Sequence, residues 1–250
     1  MADYLIVMSV DAMVFEDLEY CATLPHFKKL LEEGSRINRV RSIYPTLTHP
    51  IHVTVMTGCY PDKTGIYNNE KFEIGNLEPE WYNSLSDIKA ETIFEAAKKT
   101  GLSTAASRWP VTANGNEYID YLVPEIMDAD LENGMEEAYR KLGSESIMDQ
   151  IIKPNFHLLD GNNRPGYDEF EIVCASDIIR KYQPNLVFTH PGMVDSARHS
   201  AGLFTPKVKE ALDLVDRWLG MLMDAAKEAG IYEDTSFVVM SDHEIGRAHV

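Results

Sequence analysis

The sequence predicts an α/β fold in which a mainly parallel central sheet is sandwiched by helices. Short apolar segments of strand length alternate along the chain with helical patterns, and this alternation is typical of βαβ units. Three of the apolar segments also end on, or just before, an aspartate. Because ligands of open α/β sheets bind beyond the carboxyl ends of the strands, these aspartates indicate where a site would lie.

The first predicted strand comprises residues 4–10, YLIVMSV, and ends on Asp11. Its apolar run is continuous rather than alternating, which favours a strand that is buried on both faces of a parallel sheet. Residues 23–34, TLPHFKKLLEEG, follow as a helix. In this helix we expect Thr23 to be the N-cap and Gly34 to be the terminator.

The later elements continue the alternation. A helix begins at Thr48, at the start of an apolar run. The remaining predicted elements are a helix over 88–100, a strand over 102–107, a helix over 170–182, a strand over 185–190, a helix over 206–229 and a strand over 235–242. Residues 126–165 are acidic and rich in loop-forming residues around DGNNRPG, so we expect a lid or insertion there rather than part of the core.

The composition argues against several classes of partner and compartment. The 250 residues include 40 acidic and 23 basic ones, a net charge of −17, which argues against a nucleic-acid polymer or an anionic membrane as partner. Three cysteines are too few for a disulfide framework. The apolar run near the N-terminus is too short for a signal peptide or a membrane span. We therefore expect a protein of the reducing cytoplasm.

Six residues of metal-ligating or nucleophilic type stand at predicted strand ends and helix starts: Asp11, Thr48, Asp195, His199, Asp242 and His243. Carboxylates and imidazoles are ligands of zinc, and one helical turn would aim Asp195 and His199 the same way. Each residue also has a simpler interpretation when it is taken alone. A strand-end aspartate often forms a turn, and a threonine at a helix start often caps the helix.

Four motifs in a fixed order carry a resemblance to a known family. They are SVDAM, YPTLTHPIHVTVMTGCYPDKTGIYNN, VDSARHSAG and VMSDH. Together they resemble the type I phosphodiesterase/nucleotide pyrophosphatase branch of the alkaline phosphatase superfamily. The resemblance implies a mixed, mainly parallel sheet between helices, and two catalytic divalent metal ions, usually zinc.

The resemblance places Thr48 at the position of the nucleophile and Asn69 at the position that steadies a phosphoryl oxygen. A threonine hydroxyl is a poor nucleophile at neutral pH, and a bound dication lowers its pKa enough to give an alkoxide. A helix that begins at Thr48 would also offer free N–H groups to a phosphate. The implied activity is hydrolysis of phosphodiester or pyrophosphate bonds, or of phosphonates and phosphomonoesters, in a small substrate through a phosphothreonine intermediate.

The resemblance also divides the ligands between two metal ions. One ion would be bound by Asp11, Thr48, Asp242 and His243, and the other by Asp195, His199 and, in the family, a later histidine. We do not give that place to His249, because residues 244–250, EIGRAHV, match the translation of a common sequencing adapter preceded by one G. On this interpretation the catalytic domain comprises residues 1–243 and is incomplete at its C-terminus. We then expect the chain to be poorly soluble and nearly inactive.

Functions of another class stay open at this point. The chain could be a non-catalytic metal-binding scaffold, or an inactive fragment of such a hydrolase. The presence of Thr48 and Asn69 argues against a scaffold, because a structural metal site needs neither. Among the other histidines, His52 is expected to be a satisfied core residue, and a place near the metals stays open for His190. His49 stands where several family members carry an aromatic residue that packs on a nucleotide base.

Overall fold

A five-stranded sheet runs through the centre of the protein, which is described by a computed structural model over residues 3–77, 79–159 and 163–245. The strands are β1 (Tyr4–Ser9), β2 (Thr104–Ser107), β3 (Tyr121–Val123), β4 (Leu186–Thr189) and β5 (Thr235–Met240). They lie in the order β3-β2-β4-β1-β5, and every neighbouring pair is parallel. The predicted α/β class with a mainly parallel sheet is therefore confirmed.

Helices of very different length connect and cover the strands. They are α1 (Leu18–Cys21), α2 (Pro25–Glu33), α3 (Thr48–Thr57), α4 (Pro61–Thr64), α5 (Ile93–Lys99), α6 (Met135–Leu142), α7 (Glu145–Ile147), α8 (Gly166–Tyr182), α9 (Met193–Ala201) and α10 (Pro206–Glu228). In the described ranges, none of the helices combines the length with the apolar character needed to cross a bilayer.

The strand order brings three distant parts of the chain to one edge of the sheet. β1 pairs with β4 on one side, where Met8 is opposite Thr189, and with β5 on the other, where Ser9 is opposite Met240. Parallel strands point the same way, so the residues that follow them emerge side by side. For this reason the segments after β1, β4 and β5 meet beyond the carboxyl edge.

A hydrophobic core lies on each face of the sheet. On one face, Ile6 and Met8 of β1 pack with the apolar sides of α8 and α10. On the opposite face, Val7 and Phe188 pack with α3 and α5. Because successive side chains of a strand point to opposite faces, a strand covered on both sides must be apolar throughout. This accounts for the continuous apolar run of β1.

The helix predicted over 23–34 begins later than expected. It starts at Pro25, after Leu24 as N-cap, and it ends at Gly34 as predicted. The assignment of Thr23 as N-cap is wrong, because the Thr23 hydroxyl donates to the Tyr20 carbonyl (2.7 Å) at the end of α1 instead. A proline at the first helical position needs no cap for its own nitrogen, which carries no N–H.

The helix predicted over 88–100 is α5, and it begins at Ile93. Thr92 caps it, because its hydroxyl accepts the Glu95 N–H (3.2 Å) while the Glu95 carboxylate accepts the Thr92 N–H (2.7 Å). This reciprocal arrangement is a capping box. The pattern Thr-x-x-Glu is present in the sequence and would have given the correct start.

The expectation that residues 126–165 stay outside the core is wrong for the middle of this segment. Tyr139, Ile147 and Ile152 are fully buried there and pack in the same cluster as α8 and α10. The segment is acidic in its overall composition, but it contains short amphipathic helical turns whose apolar sides face inward. Residues 160–162, within DGNNRPG, lie outside the described residues, and a role of the segment as a lid stays a prediction.

We expect Phe94→Ala to destabilise the chain strongly. Phe94 of α5 is fully buried, and its ring lies 5.3 Å from that of Phe188, centroid to centroid. Loss of a buried aromatic side chain lowers the free energy of unfolding by about 3–5 kcal/mol, which urea denaturation followed by circular dichroism would measure. Ile93→Ala is the control, because Ile93 is 37% exposed and should lose less than about 1 kcal/mol. Equal losses would contradict the placement of Phe94 in the core.

Candidate active site

A pocket opens beyond the carboxyl edge of the sheet, where the segments after β1, β4 and β5 meet. Five of the six predicted ligand or nucleophile residues line it, and so does Asn69. The five are Asp11, Thr48, Asp195, His199 and His243. The sixth residue, Asp242, is buried next to His243. The structure thus places all seven predicted site residues at one pocket.

Asp11, Asp242 and His243 form the tightest cluster in the pocket. Each offers one ligand atom, and these atoms lie within 4.8 Å of one another. His243 Nε2 is 3.5 Å from Asp11 Oδ1 and 3.4 Å from Asp242 Oδ2. Thr48 Oγ1 lies 3.1 Å from the same nitrogen. Two carboxylates, an imidazole and a hydroxyl therefore converge, a set of oxygen and nitrogen donors of the kind that zinc binds.

Unpaired oxygens in this cluster fit a metal ion. Asp242 Oδ1 accepts hydrogen bonds from the N–H groups of Ala12 (3.2 Å) and His243 (2.9 Å). In the described part of the chain, Asp242 Oδ2 and Asp11 Oδ1 are buried without a hydrogen-bond partner. A buried oxygen without a partner is costly. A cation held between these two carboxylates would remove that cost, so the residues present fit a metal site.

The electrostatics of Asp11 favour a cation as well. Burial, followed by the negative charges of Asp242 and Asp195, raises the pKa of Asp11 well above its usual value. A carboxyl group in such surroundings takes up a proton unless a positive charge compensates it. A divalent cation among the three aspartates would supply this compensation. The charge of the pocket and the unpaired carboxylate oxygens therefore both favour a bound cation.

Arg198 holds the loop that follows β1. Ala12 has a left-handed backbone conformation (φ +56°), which costs roughly 1–2 kcal/mol for a residue other than glycine. Arg198 Nε donates to the Ala12 carbonyl (3.0 Å), and the buried guanidinium also pairs with Asp17 (2.5 Å). These contacts keep the Ala12 N–H aimed at Asp242. Sequence patterns gave no signal for Arg198, because its role depends on partners far away in the chain.

The start of α3 presents Thr48 and orients Asn69. The His49 N–H donates to Asn69 Oδ1 (2.9 Å), and Pro50 has no N–H. The expectation of several free N–H groups at this helix start is therefore wrong for positions 49 and 50, which leaves the N–H of Thr48. The same hydrogen bond fixes the Asn69 amide, because only its oxygen can accept. The Nδ2 group of Asn69 is then the end that can donate to a ligand in the pocket.

Asp195 and His199 form a second group of donors on α9. They are one helical turn apart, and His199 Nε2 is 3.4 Å from Asp195 Oδ1. Burial raises the pKa of Asp195, and the nearby His199 opposes this shift. The negative charge of Asp195 also contributes to the raised pKa of Asp11. The two groups of donors therefore share one pocket, as the i, i+4 spacing and the strand ends together predicted.

His52 is a satisfied core histidine, as expected. Its ring is fully buried, with Nδ1 2.7 Å from the Thr48 carbonyl and Nε2 3.0 Å from Ser9 Oγ. A carbonyl oxygen only accepts, so Nδ1 carries the proton and Nε2 accepts from the serine hydroxyl. Neither nitrogen keeps a lone pair for a metal. His52 instead fixes the backbone at Thr48.

His190 lies closer to the cluster than the sequence indicated. It follows β4 and is buried. Its Nε2 atom is 3.7 Å from Asp11 Oδ2 and 3.8 Å from Asp242 Oδ2. This nitrogen has no hydrogen-bond partner among the described residues. His190 is therefore an immediate neighbour of the two carboxylates.

His49, Trp81 and Glu125 form another wall of the pocket. The His49 ring meets Trp81 edge to face with centroids 5.1 Å apart, and its Nε2 atom is 3.8 Å from Glu125. Burial lowers the pKa of His49 to about 4, so the imidazole is neutral at neutral pH. Trp81 is 42% exposed and offers an aromatic surface to a ligand.

A chain of charged side chains runs behind this wall. Arg108 is buried and contacts Glu125 (3.5 Å), Asp168 (3.5 Å) and Glu171 (3.2 Å). Burial raises the pKa of Glu171 to about 8. Asp168, also fully buried, pairs in addition with Arg164, which lines the pocket. Arg108 and Asp168 thus connect Glu125 at one side of the pocket to Arg164 at another, a connection that no sequence pattern indicated.

The chain matches the family model described as type I phosphodiesterase/nucleotide pyrophosphatase over residues 5–249. This is the family that the four sequence motifs resemble. The match extends from β1 to the segment after β5 and so includes every predicted site residue.

Curated relatives of the chain are much longer proteins. It is 27% identical to rat ectonucleotide pyrophosphatase/phosphodiesterase family member 3 over 95% of its own length and 24% of the relative. Its identity to human family member 1 is also 27%, over 88% of the chain and 21% of the relative. A venom phosphodiesterase of Naja atra is 25% identical over 96% of the chain and 26% of the relative. The chain therefore spans about a quarter of the length of these relatives.

Solved structures share the fold. An inactive threonine-to-alanine variant of murine ectonucleotide pyrophosphatase/phosphodiesterase 5, in complex with AMP, superposes with a TM-score of 0.68 at 22% identity. The human protein of the same name gives a TM-score of 0.67 at 20% identity. Both alignments cover 96% of this chain and 57% of the other.

Zinc should stabilise the chain through the cluster of Asp11, Asp242 and His243. At free zinc about 100 times the dissociation constant, binding to the folded state adds about 2.7 kcal/mol to the free energy of unfolding. For a chain of this size, that raises the melting temperature by roughly 5–10 °C, which a thermal melt would record. Asp242→Asn should lose most of this shift. Asp62→Asn is the control because the Asp62 side chain is 69% exposed on α4; a shift that survives in Asp242→Asn would contradict the proposed ligand set.

Proposed function

Because the chain belongs to the type I phosphodiesterase/nucleotide pyrophosphatase family, a branch of the alkaline phosphatase superfamily, we propose that it hydrolyses phosphodiester or pyrophosphate bonds in small phosphorylated substrates. Phosphonates and phosphomonoesters are further candidate substrates. The observation that carries the proposal is the place of the Thr48 hydroxyl. It stands at the first turn of α3, 3.1 Å from Nε2 of His243, which forms the cluster with Asp11 and Asp242.

In the proposed reaction Thr48 is the nucleophile. Its oxygen forms a bond to phosphorus while the bond from phosphorus to the leaving-group oxygen breaks. The proton that the Thr48 hydroxyl loses ends on the leaving group or in solvent. Water then cleaves the phosphothreonine, which releases the phosphorylated product and restores the hydroxyl.

Two groups of donors would hold two divalent metal ions. One group comprises Asp11, Thr48, Asp242 and His243, and the other comprises Asp195 and His199. When bound, such ions lower the pKa of a neighbouring hydroxyl and offset negative charge on a phosphoryl group. Zinc is the proposed metal, because imidazole and carboxylate ligands in sets of three or four suit it.

The chain itself supplies donors for a phosphoryl oxygen. The Asn69 oxygen is occupied by the His49 N–H (2.9 Å), which leaves Nδ2 to donate into the pocket. The Thr48 N–H, at the positive end of α3, is a second donor. Donors that are fixed before the substrate arrives need no reorganisation when charge develops on the oxygen. Asn69 and the backbone of Thr48 are thus the proposed binding site for that oxygen.

The proposed substrates include nucleotide-type phosphates. Supporting this are the names of the curated relatives and the AMP bound to the murine relative. Trp81 and the neutral ring of His49 offer an aromatic wall for a non-reacting part of such a substrate. A cytoplasmic location is also kept as a proposal, supported by three unpaired cysteines, two of them buried.

Thr48→Ala should abolish turnover of bis-p-nitrophenyl phosphate by the zinc-loaded protein. We expect kcat/KM to fall by at least about a thousandfold, because the attacking oxygen is removed. Thr54→Ala is the matched control, because Thr54 lies on the same helix and its hydroxyl has no hydrogen-bond partner among the described residues. Activity that persists in Thr48→Ala would refute the assignment of the nucleophile. Zinc binding without turnover in any form, wild type included, would favour the non-catalytic scaffold or the inactive fragment.

A further inference from the structure

Arg164 carries a permanent positive charge at the edge of the pocket. Among the lining residues within 3–77, 79–159 and 163–245, it is the only lysine or arginine. A guanidinium stays protonated in proteins and offers five N–H donors in a planar arrangement. Such a group in a pocket otherwise lined with carboxylates and neutral side chains suggests a role in binding an anion.

The position of Arg164 is fixed by its contacts. Its guanidinium pairs with Asp168, which is fully buried and also accepts the Gly192 N–H (3.1 Å). The guanidinium lies so close over Gly192 that a Cβ atom on that residue would overlap it. Gly192 directly precedes α9, the helix that carries Asp195. Arg164 is therefore held next to the second group of donors.

The charge of Arg164 is not fully cancelled by its partner. Asp168 also contacts Arg108 (3.5 Å), so one carboxylate serves two guanidinium groups. The Arg164 side chain is 23% exposed, which leaves it accessible to a ligand.

The two anion-binding elements of the pocket come from different places. Asn69 and the Thr48 N–H belong to the wall formed by α3, whereas Arg164 lies at the start of α9. One oxygen bound at α3 does not occupy the guanidinium. A substrate that uses both elements must present a second unesterified oxygen to the guanidinium, and that interaction is strongest where the oxygen belongs to a doubly charged phosphate.

We propose that Arg164 determines specificity by binding phosphate oxygens that carry a second negative charge, which a simple phosphodiester lacks because its two non-bridging oxygens share one charge. The proposal rests on the proposed function. The reacting group of a diester carries one negative charge. A phosphomonoester carries a second charge on the same phosphorus, and a pyrophosphate carries it on the next one. The planar donors of arginine match phosphate oxygens of either kind.

The test compares substrates that differ in this charge. For zinc-loaded wild type, Arg164→Gln and Arg164→Lys, kcat/KM is measured with bis-p-nitrophenyl phosphate, p-nitrophenyl phosphate and ADP. In Arg164→Gln we expect the ratio of kcat/KM for a charged substrate to that for the diester to fall by about 10–100-fold, the usual effect of a lost hydrogen bond to a charged group. Arg164→Lys should restore part of the ratio because it keeps the charge.

The same experiment locates the second charge and controls for indirect effects. A larger loss with p-nitrophenyl phosphate places the bound oxygen on the reacting phosphorus, and a larger loss with ADP places it on the neighbouring one. Arg180→Gln is the matched control, because Arg180 lies on α8 and pairs with Asp177 and Glu228 at the surface. It should leave the ratio unchanged. A ratio that is also unchanged in Arg164→Gln would overturn the proposal.

A binding measurement separates this proposal from the proposed function. In the Thr48→Ala background, calorimetry measures the affinity of the zinc-loaded protein for inorganic phosphate and for dimethyl phosphate. Adding Arg164→Gln should weaken phosphate binding about tenfold more than dimethyl phosphate binding. Equal weakening, or none, would overturn the role of Arg164 whether or not the chain turns over any substrate. Absence of Thr48-dependent turnover, with this difference in binding intact, would overturn only the proposed reaction.

Discussion

Asp11 and Asp242 are buried carboxylates with unpaired oxygens at the same edge of the sheet, and the repulsion between them is the constraint on which the site depends. They meet because β1 and β5 are parallel neighbours. Such a pair could relax by separating, but backbone N–H groups hold one oxygen of Asp242, and Arg198 fixes the loop that provides one of those groups. Either a proton on Asp11 or a bound cation must then compensate the pair. Thr48, the proposed nucleophile, and the second group of donors lie around this pair.

Much of the site could be predicted from the sequence, because its main residues obey local rules. Asp11 and Asp242 each lie two residues beyond the end of a strand, and Asp195 and His199 lie one helical turn apart. Their convergence is not a local property. It depends on β1 lying between β4 and β5, and the order of strands along the chain does not specify that arrangement. The family motifs supplied what periodicity and capping rules lacked.

The residues that sequence reasoning missed have partners that are distant in the chain. Arg108, Glu125 and Asp168 come from three separate segments, and each alone reads as an ordinary surface charge. Only the fold shows that they are linked behind the pocket and reach Arg164. The error over residues 126–165 has a related cause, because an average over forty positions conceals the few apolar side chains that enter the core. By contrast, the late start of α5 could have been foreseen from Thr92 and Glu95.

The hydrogen bond from the His49 N–H to Asn69 Oδ1 joins α3 to a loop about twenty residues further along the chain. Protein engineers often exchange such loops between related enzymes to alter substrate preference. Here a transplanted loop would have to bring an acceptor for that N–H. Without one, a buried amide would be left unsatisfied at a cost of about 1–3 kcal/mol, and the first turn of α3 would lose an anchor. The loop and the helix therefore form one structural unit. Exchanging the loop alone would disturb the orientation of the Thr48 side chain.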